Sequence, residues 1–307
     1  MKRKAQPMLS GEGQHALNQY TQVLQHVEDL SAVTIRNYLS DLRQFIAWCE
    51  DSWREEQEDR AFTPRAVAPA LLMRYRDYLQ TVLGLKPSTV NRTLLSLKRY
   101  FAWTKKTHLI QSNPASLIKF LPKEVSSPRH LNNEEEDALV AAVNATGTLR
   151  DQTIITLLLH TGLRAQELCT LTRQQIHLGK RAGMLRITGK RKKVREVPLN
   201  TTARTVLNQY LETLPLECQH LFPSEKTQKA LTGRALGHLI AKYAVQAKIV
   251  DVSPHDLRHR FGYRMAEVVP LHRLAQIMGH DSLDTTMLYI RGTKQYLQQD
   301  VEKIAWI

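Results

Sequence analysis

Apolar residues recur every three or four positions along most of this 307-residue chain, and this spacing limits its fold more than any other feature. Such spacing places apolar side chains on one face of an α-helix, whereas strands alternate with a period of two. Helices are predicted over 33–50, after Pro64, after Lys86-Pro87, over 202–211 and 233–247, and beyond Pro254. Between Leu185 and Leu199 the pattern changes to alternation with β-branched residues, which predicts a hairpin. We therefore expect a mainly α fold, with an all-helical first domain and an α+β second domain that contains a small antiparallel sheet.

A segment with two prolines and two serines divides the chain. Residues 122–131 include Pro122 and Pro128 and cannot continue a helix, so they are predicted to be the interdomain linker. Residues 1–13 are polar and basic, contain Gly11 and Gly13, and are predicted to be a mobile lead-in. The remaining segments are predicted as a helical domain at 14–121, a second domain at 132–292 and a tail helix at 293–307.

Residues with known helix-end preferences mark several boundaries. Ser88 is predicted to cap the third helix, Asn132 or Asn133 to open the second domain, and Asp151 to cap its next helix. Gly279 is predicted to end the helix from residue 271 in the left-handed conformation. These residues are predicted to mark helix ends in both domains.

The chain carries 43 Lys and Arg against 29 Asp and Glu, a formal charge of +14. Residues 1–121 hold 17 basic and 11 acidic residues, and residues 122–307 hold 26 and 18, so both halves are basic. Clustered cations release counterions when they neutralise phosphates, which makes a polyanion the expected partner. The basic residues that we predict to contact it are Arg36, Arg92, Lys98, Arg99, Arg191 and Lys192. The alternative for such charge runs is an ordinary solvated helix face.

The three cysteines, Cys49, Cys169 and Cys218, are too few and too scattered for a disulfide framework. The chain has no Cys-x-x-Cys pair of the kind that structural zinc sites use, and we predict neither a metal nor another cofactor. No apolar run follows the basic N-terminus or approaches the roughly 20 residues of a membrane span. We expect a cytoplasmic protein without a membrane partner.

The second half contains six residues whose side chains suit chemistry on a phosphodiester. They are Arg164, Lys190, His255, Arg258, His280 and Tyr289. Guanidiniums can neutralise phosphate oxygens, a phenol can act as a nucleophile, and an ammonium or imidazole can protonate a leaving oxygen. Ser253-Pro254 is a helix-start signature, so His255 and Arg258 are predicted to share one face of the first helical turn.

Each of these residues also has a plainer interpretation. The alternatives are an ion pair of the His255–Arg258 turn with Asp256, a salt bridge from Arg164 to Glu167, a solvated basic turn at Lys190 and Lys192, and a buried ring at Tyr289. Gly189-Lys190 is not a phosphate-binding Walker A loop, because Met184 replaces its first glycine and Arg191 replaces its Ser or Thr. The interpretation as a phosphodiester site is stronger because all six residues occur in one chain.

Residues 278–289, read with the other five positions, resemble the nucleophile box of the tyrosine recombinase/integrase family. The segments 88–92 and 97–101 resemble the groove-facing helix of its core-binding domain, and the resemblance spans roughly residues 20–300. It implies that Tyr289 attacks the scissile phosphate and that Arg164 and Arg258 clamp its oxygens. It further implies that Lys190 protonates the 5′ oxygen, His255 acts as acid or base, and His280 hydrogen-bonds the phosphate. Arg260, Gly262 and Tyr263 depart from the small residues that often follow the second arginine.

The resemblance also implies partners and an assembly. Members of this family close as a C-shaped clamp on double-stranded DNA with inverted-repeat core sites, and four protomers act together, in some cases with DNA-bending accessory proteins. The tail stripe of Leu297, Val301, Ile304 and Ile307 would then dock on a neighbouring protomer, the alternative being packing in cis. The predicted role is integration, excision or resolution of a mobile element or chromosome dimer in a bacterial nucleoid. The rival hypotheses are a type IB topoisomerase-like enzyme and a non-catalytic DNA-binding protein on the same scaffold.

Overall fold

The computed structural model consists of two compact units, Met1–Val125 and Ser126–Ile307. It describes residues 6–26, 30–58, 60–122, 129–189, 193–280 and 282–289. Within those ranges, none of the helices is long and apolar enough to cross a membrane.

The described part of the first unit is helical. Its elements are α1 (Gly11–Gln25), α2 (Ala32–Glu55), a short 3₁₀ helix (Pro64–Ala66), α3 (Pro69–Asp77), a π-helical turn (Tyr78–Val82) and α4 (Pro87–Lys106). Aromatic rings from α2, α3 and α4 meet at its centre, where Phe45 lies edge-on to Tyr75 and Phe101. These three rings are almost completely buried. The predicted all-helical domain is therefore observed.

Two helix starts in this unit differ from what the sequence indicated. Ser10 caps α1 by accepting a hydrogen bond from the Gly13 N–H, so the helix begins inside the segment predicted to be a mobile lead-in. The N-cap of α4 is Lys86, with no capping side chain, and Ser88 lies inside the helix. Pro87 begins α4 because its fixed φ suits a first helical position and its missing N–H costs no bond there.

The carboxylate of Glu50 holds the start of α1 against α2. Its Oε2 accepts the Ser10 N–H at 3.0 Å, and its Oε1 accepts the Ser10 hydroxyl at 2.5 Å and the Phe62 N–H at 3.2 Å. A Cβ at Gly13 would lie 2.6 Å from Oε1, so only glycine lets α1 approach this closely. One buried acid thus satisfies three donors from two other segments.

Glu50→Ala is expected to destabilise the first unit by about 3 kcal/mol, because it leaves buried donors without an acceptor. Urea unfolding followed by the fluorescence of Trp48, Trp53 and Trp103 measures this, in protein that carries Trp306→Phe, because these three of the four tryptophans lie in this unit and Trp306 lies in the other. Glu55→Ala on the exposed face of the same helix is the matched control. An equal shift of the midpoint in both variants would contradict the anchoring role of Glu50.

The second unit contains eight helices and three strands among its described residues. They are α5 (Asn133–Thr146), α6 (Leu149–Thr161), α7 (Ala165–Cys169), a 3₁₀ turn (Arg173–Gln175), β1 (Ile176–Leu178), β2 (Gly183–Thr188), β3 (Val194–Pro198), α8 (Thr201–Thr213), α9 (Gly233–Gln246), α10 (Pro254–Ala266), α11 (Leu271–Met278) and α12 (Leu283–Met287). The strands form an antiparallel sheet in the order β1-β2-β3, with Leu185 opposite Ile176 and Val197. The predicted hairpin is β2-β3, whereas β1 was not predicted because three residues are too few to show alternation.

Helix ends in this unit mostly follow the sequence. Asn132 caps α5 in a capping box with Glu135, and Gly279 ends α11 at φ +66°, as predicted. The prediction for Asp151 is wrong, because Thr148 caps α6 and Asp151 instead accepts a hydrogen bond from the Tyr243 hydroxyl at 2.7 Å. Asp151 therefore binds Tyr243 on α9, which is distant in sequence, and does not cap its own helix.

Candidate active site

Arg258 lies in the first turn of α10 and joins three separate segments. The α10 start is fixed by a capping box between Ser253 and Asp256, so the acid that could have paired with Arg258 is used in the cap. The guanidinium donates from Nη1 to the Gly162 carbonyl and from Nη2 to the Met278 carbonyl at 2.9 Å. Its Nη2 also lies 3.0 Å from His280 Nε2.

Both carbonyls bound by Arg258 are at helix C-termini, where the last carbonyls have no partner within the helix. Gly162 after α6 and Gly279 after α11 are left-handed, at φ +60° and +66°, and turn the chain sharply at these points. Burial lowers the pKa of Arg258 to about 10, with a contribution from the positive charge of Arg164, so the side chain stays protonated near neutral pH. Among the described residues these contacts use three of its five N–H donors, which leaves two for a ligand.

Arg164 lies beside Arg258 at the start of α7. Its Nη1 donates to Glu167 Oε1 at 2.9 Å, and its Nη2 donates to the Gly279 carbonyl at 2.6 Å. The salt bridge to Glu167 that the sequence offered as an alternative is therefore present, together with a contact to the active-site turn. With 44% of its side chain exposed, Arg164 also faces solvent, where a ligand can reach it.

His280 is held between the α11 turn and α12. Its Nε2 faces Arg258 Nη2, and its Nδ1 lies 2.8 Å from the Thr286 hydroxyl. Because a guanidinium can only donate, Nε2 accepts and the ring proton is on Nδ1, which donates to Thr286. Burial, and then the charges of Arg258 and Arg164, lower the pKa of His280 to about 4, so the ring is neutral near pH 7.

Tyr289 is packed against α10, with its ring 2% exposed. A Cβ at Gly262 would lie 2.5 Å from the ring carbon Cζ, so the missing side chain of Gly262 makes the space that the ring fills. The hydroxyl lies 3.1 Å from His259 Nδ1, and the ring stacks on His280 with centroids 6.2 Å apart. Burial raises the pKa of Tyr289 to about 12, although the charge of Arg258 acts in the opposite direction.

His255 lies at the edge of this cluster. Its ring meets His259 edge-on with centroids 4.3 Å apart, and the residue is exposed to solvent. Partial burial of the ring, and then the charge of Arg258, lower the pKa of His255. The structure therefore brings together Arg164, Arg258, His280 and Tyr289, with His255 one ring further away. Lys190, Arg191 and Lys192 lie outside the described residues.

Sequence reasoning missed His259, which contacts the tyrosine hydroxyl. A signal for it exists, because 255, 258, 259 and 262 share one face of α10 at spacings of three and four. It also missed Arg195, whose guanidinium binds both oxygens of Glu167 at 2.8 and 2.7 Å. The strand alternation around Arg195 gives no hint of that contact.

Four of the basic residues predicted to contact DNA lie on α2 and α4 of the first unit. Arg36 is exposed on α2. Arg92 on α4 donates from Nη1 to Asp41 Oδ2 at 2.5 Å, and Asp41 is buried. This bond joins the two helices, so Arg92 has a structural role in addition to any contact with DNA.

Lys98 and Arg99 lie over aromatic rings. The Lys98 ammonium is 5.4 Å from the centre of the Phe120 ring, and the Arg99 guanidinium is 5.4 Å from that of Tyr38. Such cation–π contacts restrain the side chains and keep their charge. The predicted DNA contacts of all four residues stay predictions.

The described residues include no group of three or more His, Cys, Asp or Glu side chains arranged to hold a metal ion. Among the described residues, the guanidiniums of Arg164 and Arg258 supply positive charge near Tyr289.

Comparisons with known proteins identify the family. Residues 129–296 match the model of the phage integrase family, and residues 17–108 match that of the phage integrase N-terminal SAM-like domain. The chain belongs to the phage integrase family. This phage integrase family member is 31% identical to tyrosine recombinase XerD of Lacticaseibacillus casei over 278 residues, which cover 87% of this chain and 90% of the relative. It is also 31% identical to tyrosine recombinase XerD of Shewanella oneidensis, with 88% and 89% covered.

Solved structures agree in fold with this phage integrase family member. A structure of XerH site-specific recombinase bound to a palindromic difH substrate matches with a TM-score of 0.74 at 20% identity and covers 97% of this chain and 90% of that one. The Tn1549 transposon integrase in complex with circular intermediate DNA matches with a TM-score of 0.72 at 18% identity and covers 93% and 98%. These comparisons confirm three predictions made from the sequence. They are the family, the mainly helical two-domain fold and the enzyme class, which is that of a tyrosine recombinase.

The buried imidazoles predict a loss of stability in mild acid. The ordinary pKa of 6.5 is lowered to about 4 in His259 and His280, first by burial. The unfolded chain therefore takes up protons from about pH 6.5, whereas the folded chain does so only near pH 4, and proton uptake in between favours unfolding. Between pH 7 and 5 the free energy of unfolding should therefore fall by roughly 2 kcal/mol for each imidazole.

Hydrogen-exchange protection of the α10 amides at pH 7, 6 and 5 measures this loss. His259→Gln should reduce the pH dependence without abolishing it, because the pKa values of His280, His255 and His160 are lowered as well. His177→Asn, at an exposed histidine on β1, should leave the pH dependence unchanged. Glu167 affects stability only at lower pH. Burial would raise its pKa, but the bonds from Arg195 and Arg164 lower it to about 2. The stability that its ionised carboxylate contributes is therefore lost only between about pH 4.5 and 2. If the protection of the α10 amides stays constant from pH 7 to 5, the predicted effect of the histidines on stability is refuted.

Proposed function

We propose that this chain cuts and rejoins duplex DNA at specific sites through a covalent link between Tyr289 and a 3′ phosphate. The observation that carries the proposal is the convergence of Arg164, Arg258 and His280 next to Tyr289, from four separate segments of the second unit. The sequence relatives, tyrosine recombinases XerC and XerD at about 30% identity over most of the chain, support it independently.

The two guanidiniums are the proposed clamp for the scissile phosphate. They bind neighbouring carbonyls of the same turn, Met278 for Arg258 and Gly279 for Arg164, so their heads are held side by side. Held donors stabilise charge that develops in a transition state better than mobile ones, because they need no rearrangement when the reaction occurs. His280, next to Arg258, is the proposed third group at the phosphate, where it would donate a hydrogen bond once its ring proton is on Nε2 instead of Nδ1.

In the proposed reaction the oxygen of Tyr289 forms a bond to phosphorus and the bond from phosphorus to the 5′ oxygen breaks. The phenolic proton leaves Tyr289, with His255 as the proposed acid or base, and the 5′ oxygen gains a proton, for which Lys190 is the proposed donor. The phosphotyrosine bond keeps the energy of the broken diester, so attack by a 5′ hydroxyl reseals DNA without ATP. Since Tyr289 is buried in the DNA-free chain, the hydroxyl must be exposed to the phosphate before it attacks.

The proposed substrate is double-stranded DNA with inverted core elements, and the proposed acting species is a tetramer on two such sites. The net charge of +14, shared by both halves of the chain, supports a polyanionic partner. Exchange of the tail helix between protomers belongs to this proposal and concerns residues outside the described ranges. The biological role, integration, excision or resolution, depends on where the target sites lie.

The function is tested with DNA in two steps. A pool of nicked duplexes, taken from the genome around the gene, is incubated with the protein, and covalent adducts are recovered and sequenced to obtain the target site. Plasmids with no, one or two copies of that site are then incubated with the protein. A recombinase yields resolved circles only with two sites, whereas relaxation of a plasmid without a site would identify a topoisomerase-like activity and contradict the proposal. Specific binding without any adduct would also contradict it.

A further inference from the structure

Arg195 is a buried arginine on β3 that contacts two segments of the active site. Its Nη1 and Nη2 donate to the two oxygens of Glu167 at 2.8 and 2.7 Å, and its Nε donates to the Ile277 carbonyl at 3.0 Å. Only 11% of its side chain is exposed. All three contacts connect the sheet to residues that lie within a few positions of Arg164 or His280.

Glu167 is shared between Arg195 and Arg164. Its Oε2 also accepts the backbone N–H of Arg164 at 2.7 Å, and its Oε1 accepts Arg164 Nη1 at 2.9 Å. Burial would raise the pKa of Glu167, but the hydrogen bonds from Arg195 and Arg164 lower it to about 2, so the carboxylate is ionised near neutral pH. Four donors thus surround one carboxylate, and Arg195 supplies two of them in the planar paired geometry that lysine cannot make.

Arg195 also packs against the turn before His280. A Cβ at Gly279 would lie 2.8 Å from Arg195 Cδ and 2.9 Å from its Nε, so the arginine fills the space over this glycine. The carbonyl of the same glycine accepts Arg164 Nη2 at 2.6 Å. Arg195 therefore contacts the carboxylate that binds one side of the Arg164 guanidinium and the turn that binds the other.

We propose that Arg195 is a positioning residue that holds the Arg164 guanidinium toward the scissile phosphate, an inference that rests on the proposed function. While Arg195 occupies both oxygens of Glu167, Arg164 makes one side-chain bond to that carboxylate and extends the rest of its guanidinium to Gly279 and to solvent. Without Arg195, the ionised carboxylate would attract the whole Arg164 guanidinium and withdraw it from the phosphate. A displacement of about 1 Å at such a group costs about 10²-fold in rate.

The test compares Arg195→Lys with wild type on three DNA substrates of the recovered site. The first has the natural phosphate. The second has a methylphosphonate at the scissile position. This group carries no negative charge, so its reaction depends less on the positive charge of Arg164. The third has sulfur in place of the bridging 5′ oxygen, a leaving group that needs no proton. The readouts are the rate of adduct formation at saturating DNA and the affinity for DNA.

Arg195→Lys is expected to lose about 10²-fold in rate on the natural phosphate, with unchanged affinity. The loss should shrink to within about threefold on the methylphosphonate and persist on the sulfur substrate. Arg173→Lys is the matched control, because Arg173 also donates to a main-chain carbonyl of the same unit, that of Leu214 at 2.8 Å, and none of its hydrogen bonds reaches the active-site residues. It should lose stability without a substrate-dependent loss of rate.

Several results would overturn the proposal. They are a normal rate in Arg195→Lys, a loss of equal size on the phosphate and the methylphosphonate, and a recovery confined to the sulfur substrate, which would place Arg195 on the leaving-group side. If Arg195→Lys does not fold, Arg195→Gln also leaves the Glu167 carboxylate without its paired guanidinium and is expected to show the same substrate pattern. Failure of the proposed function is distinguishable, because wild type would then form no adduct on any substrate.

Discussion

Tyr289→Phe is expected to bind its DNA site with unchanged affinity and to form no covalent adduct, a rate loss of about 10⁴-fold or more. The phenyl ring still fills the space over Gly262, and the loss of the hydroxyl removes one hydrogen bond to His259, worth about 1 kcal/mol of stability. The nucleophile is therefore removed while the fold is kept. Wild type and variant are compared on nicked site DNA by denaturing gel electrophoresis.

Tyr263→Phe is the matched control for this experiment. Its ring lies edge-on to Tyr289 with centroids 5.2 Å apart, and its buried hydroxyl has no hydrogen-bond partner among the described residues. Removing that hydroxyl should therefore change neither stability nor adduct formation. An adduct in Tyr289→Phe, or its loss in Tyr263→Phe, would assign the nucleophile to another residue.

Arg258→Lys is expected to reduce the rate of adduct formation by about 10² to 10³-fold and to destabilise the second unit by about 2 kcal/mol. A lysine has one nitrogen, so it cannot reach the Gly162 and Met278 carbonyls and still present a paired donor to phosphate. The substitution therefore affects the ends of α6 and α11 and, at the same time, the proposed phosphate clamp. Single-turnover cleavage and hydrogen exchange of α10 measure the two effects.

Arg260→Lys separates stability from chemistry on the same helix. Arg260 donates to the buried carboxylate of Glu136 on α5 at 2.5 Å, away from the active-site cluster. We expect this variant to lose stability to a similar extent and to keep its cleavage rate at saturating DNA. Equal rates in wild type and Arg258→Lys would remove Arg258 from the proposed clamp.

The sequence predicted much of the local structure, because the interactions that decide it span only three or four residues. The caps at Asn132 and Gly279 and the start of α10 at Pro254 are of this kind. The predictions failed at Ser88 and Asp151. A neighbouring proline started the helix in the first case, and a partner on α9, 92 residues away, took the carboxylate in the second.

By itself the sequence determined the mainly helical fold with a small sheet, the basic charge, and the set of guanidinium, imidazole and phenol groups suited to a phosphodiester. Only the tertiary structure decided how these groups are held. The Gly279 carbonyl lies 115 residues from Arg164, the Gly162 carbonyl 96 from Arg258, the Tyr289 hydroxyl 30 from His259, and Glu167 28 from Arg195. No spacing rule reaches such distances, because these contacts form only after packing of α6, α10, α11 and β3 has brought two helix ends and a strand together. The chemistry of the side chains is encoded locally, whereas their orientation depends on that packing.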